Sequence, residues 1–106
     1  MRQIMLCDGP VTVQIEARGN GAVLKMTNEE HVEFSLAKRN LEAVLDGETI
    51  QISRAGIFCR LTRREDGIHV SFAWKSHHES VTCQVSHFQS LVDTLNDDKR
   101  DVSTSH

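Results

Sequence analysis

The chain has 106 residues, 39% of them hydrophobic and 25% charged, the composition of one globular domain that can bury about two thirds of its unfolded surface. These fractions argue against a wholly disordered or membrane-embedded chain, and no apolar run approaches the roughly 20 residues of a membrane-spanning helix. The net charge of −3 rules out a global attraction to nucleic acid or anionic lipid, so any such binding has to come from local patches.

The first apolar run, Arg2 to Cys7, predicts a strand closed by the turn Asp8-Gly9-Pro10. Val11, Val13, Ile15 and Ala17 alternate with Thr12, Gln14, Glu16 and Arg18, the period of two that marks a strand with one buried face. Gly19-Asn20-Gly21 supplies a tight hairpin, and Ala22, Leu24 and Met26 carry the apolar face back. After Asn28-Glu29-Glu30 a fourth strand follows, with Val32 and Phe34 inward. From Leu36 the period becomes helical through Ala37, Leu41, Val44 and Leu45, with Ser35 placed to cap the start and Gly47 to end it.

The same order then recurs. Ile50 and Ile52 alternate with Gln51 and Ser53, Ala55-Gly56 makes a corner, and Ile57, Cys59 and Leu61 alternate with Phe58, Arg60 and Thr62. Glu65-Asp66-Gly67 carries an Asp-Gly hairpin signal. Ile68, Val70, Phe72 and Trp74 share one face of the next strand, with His69, Ser71, Ala73 and Lys75 on the other. Ser76 to Ser80 reads as a polar loop, and Val81, Cys83 and Val85 begin the eighth run. Ser86-His87-Phe88-Gln89 has the form of a capping box, and Phe88, Leu91, Val92 and Leu95 follow at helical spacing. The helix is expected to end near Asn96, leaving 98–106 as a flexible C-terminal tail.

Leu41 and Leu45 precede Leu91 and Leu95 by the same 50 positions. The expected fold is therefore α+β: one domain over 1–97, made of two related ββββα units (1–47 and 48–97). Each unit is a mainly antiparallel curved sheet backed by one helix, because neither a sheet nor a helix hides its apolar side alone. Parity then leaves an open face on each sheet. In the second unit it carries Phe58, Arg60, Arg64, His69 and Lys75, with three formal positive charges and no acid. In the first, Glu16 and Glu33 accompany Arg18 and Lys25.

Four strands and then a helix, twice over, resembles the Whirly and PUR group of single-stranded nucleic-acid-binding proteins. The likeness lies in the order of elements across the chain up to Asn96. Its most suggestive local match is VEFSLAKRNLEAVL, where a strand runs directly into a Leu-rich helix. The resemblance implies open sheet faces that take single-stranded DNA or RNA, with bases against aromatic rings and cations along the phosphates. The residues matching those roles are Arg60, Arg64 and Lys75 for phosphate, Phe58 for stacking, and His69 beside them. The alternative is a small homo-oligomeric interaction module, a dimer by expectation, with Phe58 at the subunit contact.

Trp74 and Phe72 share the parity of Ile68 and Val70, which assigns them to the core. His77, His78, Glu79, Cys83 and His87 carry atoms that could ligate zinc, but Cys83 is expected inward on a strand and the two histidines in a loop, so no metal is expected. Cys7, Cys59 and Cys83 are odd in number and widely spaced, giving neither a disulfide framework nor a metal knuckle. No nucleophile with its base, carboxylate pair or phosphate-cradling loop stands out. The chain is read as a binder without cofactor rather than an enzyme. Met1 to Cys7 lacks the regions of a signal peptide, so cytoplasmic residence without membrane association is expected.

Overall fold

The structure is a computed structural model that describes residues 2–28 and 30–104, with side chains described as far as Leu95. Eight strands and two helices follow one another as β1 (Gln3–Asp8), β2 (Val11–Arg18), β3 (Gly21–Thr27), β4 (His31–Ala37), α1 (Lys38–Leu45), β5 (Ile50–Arg54), β6 (Ile57–Arg64), β7 (Gly67–Trp74), β8 (His77–Cys83) and α2 (Val85–Thr104). The strands form two antiparallel four-stranded sheets, β1-β2-β3-β4 and β5-β6-β7-β8, each a plain meander. The α+β reading with two ββββα units holds.

Alternation in the sequence becomes burial in the structure. Val13, Ile15, Leu24, Met26 and Phe34 of the first sheet and Cys59, Leu61, Ile68, Val70 and Phe72 of the second all lie buried in a single core. The helices add Leu41, Val44 and Leu45 from α1 and Phe88, Leu91, Val92 and Leu95 from α2. The two units are not separate sheet-and-helix pairs. α1 touches β4 of its own unit and also β5 and β6 of the next, whereas α2 reaches back to β1 and β2 as well as to β7. Phe34 and Phe72 meet between the sheets with ring centroids 6.2 Å apart. Each helix thus covers apolar surface of both sheets, which a short helix on one sheet would leave wet.

The helix ends differ in detail from the sequence reading. β4 continues through Leu36, which is buried on the strand's inner face, to Ala37. Ser35 is therefore a strand residue and no cap; instead the Ala37 N–H donates to Asn40 Oδ1 at 3.2 Å. α1 closes as expected at Gly47, which has φ +100°, with Gly47 N–H bonded to the Val44 carbonyl at 3.0 Å and Glu48 N–H to the Ala43 carbonyl at 2.9 Å. This is a Schellman ending, and only glycine takes that φ without strain. The Arg63 guanidinium donates to the Leu45 carbonyl, so a cation from β6 sits at the negative end of α1 and ties the second unit to the first.

The proposed capping box at Ser86 does not form. α2 begins at Val85, two residues earlier than a Ser86 cap would start it, with the Phe88 N–H bonded to the Gln84 carbonyl at 3.1 Å, and Gln89 donates forward to Asp93 at 2.9 Å instead of back to Ser86. The helix also runs past Asn96 to Thr104, across most of the segment expected as a tail. The side chains from Asn96 onward, and Ser105 and His106 entirely, lie outside the described residues.

Gly67 is not a turn residue but the first of β7, opposite Arg64. Its φ is +138°, and a Cβ there would stand 2.6 Å from the Cys83 carbonyl oxygen, so β7 and β8 approach at a distance only glycine permits.

Cys59 and Cys83 are free thiols within the core, and Cys7 is an exposed one. Burial pushes the Cys59 thiol from its ordinary 9.0 up to about 12 and that of Cys83 up to about 11. In the unfolded chain both ionise near the ordinary value while the native thiols stay neutral. The stability they contribute is therefore complete below about pH 9 and is lost as pH rises toward the native values. The chain has no tyrosine to obscure this limb. Urea unfolding should show stability falling between about pH 9 and 11 by on the order of 2 kcal/mol per thiol. Cys59→Ala with Cys83→Ala should flatten that fall; an equally steep loss in the double variant would assign it to other groups.

Candidate nucleic-acid interface

The outer face of the second sheet is laid out by its register. Phe58 on β6 faces Ala73 on β7, which faces His78 on β8; one step along, Arg60 faces Ser71, which faces Ser80; a further step brings Thr62 opposite His69. On β5, Gln51 stands opposite Arg60. Phe58, Arg60 and Arg64 of β6 and His78 of β8 thus flank the small Ser71 and Ala73 of β7, and His69 of β7 stands at one end of that low row. That contrast in size makes a trough of about 570 Å³ whose lining includes Phe58, Arg60, Arg64, His69, Ser71, Ala73 and His78.

Phe58 is 51% exposed, a large hydrophobic group held on the wall of the trough. Arg60 donates Nε and Nη2 to the side-chain Oε1 of Gln51 at 3.2 and 2.9 Å. This contact fixes the guanidinium plane through a neutral partner and leaves its outer N–H groups for an anion. Neither Arg60 nor Arg64 has a carboxylate within ion-pair distance among the described residues. His69 is half-buried and its Nε2 lies 2.7 Å from Asp66 Oδ1. That hydrogen bond, helped by the charges of His69 and Arg64, holds the Asp66 carboxyl below the usual range. An acid thus sits in the turn at one end of the face that parity alone makes free of acids.

The corresponding face of the first sheet is neutralised from within. Glu16 pairs with Arg18 at 2.6 Å and with Lys25 at 4.0 Å. His31 approaches Glu33 at 3.2 Å, and this contact, with Lys25 nearby, keeps the Glu33 carboxyl below its ordinary value. The electrical difference between the sheets is thus a difference in pairing as well as in count.

Of the sequence-derived candidates, Phe58, Arg60, Arg64 and His69 are brought together in the trough, and Lys75 is not. β7 ends at Trp74, which pairs with His77, so Lys75 and Ser76 are the two residues of a hairpin turn. Lys75 takes φ +52°, which turns it off the strand's pleat. It lines a different hollow of about 460 Å³, with Pro10, Trp74, His77 and Glu79 among its walls. The same turn corrects the expected loop at Ser76 to Ser80. β8 already begins at His77, and alternation back from Val81 and Cys83 puts His78 on the outer face. His78 is the trough residue that the sequence reading left out, and that backward parity was the signal for it. Cys83 is buried whereas His77 and His78 are exposed on β8, so these groups do not converge on one ion.

No helix among the described residues is long and apolar enough to cross a membrane. No family model matches the chain, and a search of curated proteins finds no significant relative.

Proposed function

We propose that the protein binds single-stranded nucleic acid along the outer face of its second sheet, as a binder or regulator of the kind that the Whirly and PUR resemblance implies. One observation carries the reading: the 570 Å³ trough joins an exposed ring, Phe58, to a guanidinium, Arg60, whose partner in the trough is a neutral amide. A single strand offers both complements at once, since every base has a π-face and every linkage a phosphate. A duplex keeps its base faces stacked inside and leaves only phosphates, sugars and base edges at its surface.

The subunit-contact reading rests on exposed apolar groups. Met5 and Phe58 are the two large ones among the described residues, and they lie on different sheets. They make no single patch of the size that marks protein interfaces. The strand is therefore the preferred occupant.

Anisotropy titration of labelled oligo-dT and oligo-U provides the test. Two phosphate contacts on a single strand should give a slope of log K against log salt of about −1.4. Absence of binding at about 20 mM salt, or binding indifferent to salt up to about 200 mM, would overturn the reading.

A further inference from the structure

We propose that the trough contains a slot for one base, with the ring seated over Ala73 between Phe58 and His78; this inference rests on the nucleic-acid reading of the same face. The argument starts from two consecutive cross-strand pairs. On the inner face, Trp74 and His77 are opposite each other and their rings stack at 5.4 Å. On the outer face the neighbouring pair is Ala73 and His78, so the β8 histidine there faces a methyl group where its neighbour faces an indole. Phe58 flanks Ala73 from the other side. Among the described residues Phe58 and His78 stack on no other ring.

The spacing suits an inserted ring. Strands two apart are separated by about 9.5 Å, and stacked rings stand about 4.5 Å or more from each neighbour, so one planar ring fills the interval and two do not. Ala73 is the floor that makes room for it. Arg60 and Ser71 lie one row along, about 6.6 Å away, where the linkage of the seated nucleotide would pass. The slot distinguishes a strand with bases from a bare polyanion, which the two arginines alone would not.

Two probes of equal length and charge test this: oligo-dT and a fully abasic strand. The wild-type protein should prefer oligo-dT by about 5- to 150-fold, the range that one stacked base supplies. Ala73→Leu, which fills the floor, and His78→Ala, which removes one wall, should each erase most of that preference. Equal wild-type affinity for both probes, with the salt dependence intact, overturns the slot and leaves the phosphate-binding reading standing. If neither probe binds at low salt, it is the nucleic-acid reading itself that fails. A preference surviving in both variants also overturns the slot, by placing the stacked base elsewhere.

Discussion

Reversing Arg60 and Arg64 together to glutamate is expected to reduce affinity for a single strand by about a hundredfold to ten-thousandfold at low salt. Each arginine supplies a charge-assisted hydrogen bond of about 1.5 to 3 kcal/mol, and 1.4 kcal/mol is a factor of ten. The variant should also lose most of the salt slope, since its two phosphate contacts are gone. Both side chains are exposed, and Arg60 is tied only to Gln51, so native circular dichroism and an unchanged unfolding midpoint are expected alongside the loss. The pairing pattern makes the matched control informative. Arg18 of the first sheet already spends its charge on Glu16 at 2.6 Å, and Arg18→Glu should change affinity little. A loss from Arg18→Glu as large as that from Arg60→Glu alone, which changes the charge equally, would mean that binding follows net charge and not the trough; no loss from reversing Arg60 and Arg64 would reject the interface.

The contrast between these two arginines was only partly legible from sequence. Parity places Phe58, Arg60, Arg64 and His69 on one face because strand side chains alternate without exception as long as the strand is regular, and β6 and β7 are regular. It fails where the chain leaves the pleat. Alternation continued to Lys75 runs one residue too far, into a turn. His78 lies in a run of five polar residues that reads as a loop, although its backbone completes a ladder with β7 from Trp74 onward. Polar composition is a guide to loops only where no neighbouring strand needs a partner.

The helices show a second limit. Their apolar spacing identifies Leu41, Val44, Leu91 and Leu95 as core, yet nothing in that spacing says which sheet they cover. That α1 reaches β5 and β6 while α2 returns to β1 and β2 is set by which apolar surfaces remain open after the sheets have formed. Arg63 illustrates the consequence: its alternation marks it as pointing away from the trough, but its partner, the end of α1, is visible only in three dimensions.

Because the core is shared, Phe72→Ala should destabilise the whole molecule and not the second unit alone. Phe72 is fully buried on β7 and its ring meets Phe34 of the first sheet at 6.2 Å. Truncating a buried phenylalanine costs about 3 to 5 kcal/mol through lost burial and the cavity left behind, a large part of the 5 to 15 kcal/mol typical of a domain. Thermal unfolding should shift down by about 15 °C or more and remain a single transition when followed by Trp74 fluorescence and by far-UV circular dichroism. Phe34→Ala should act similarly, and the double variant should cost less than the two single losses added, because each removes the other's partner. Separated transitions, with the first sheet surviving the loss of the second, would show that α1 and α2 do not couple the units. The same packing bears on the trough. Ser71 and Ala73 flank Phe72 on β7, so the floor on which a base would rest is held level by a ring on the opposite side of the strand. Phe72→Ala should therefore weaken the preference for oligo-dT over the abasic strand even at temperatures where the variant is still folded, whereas a core substitution remote from β7, such as Val44→Ala, should leave it intact.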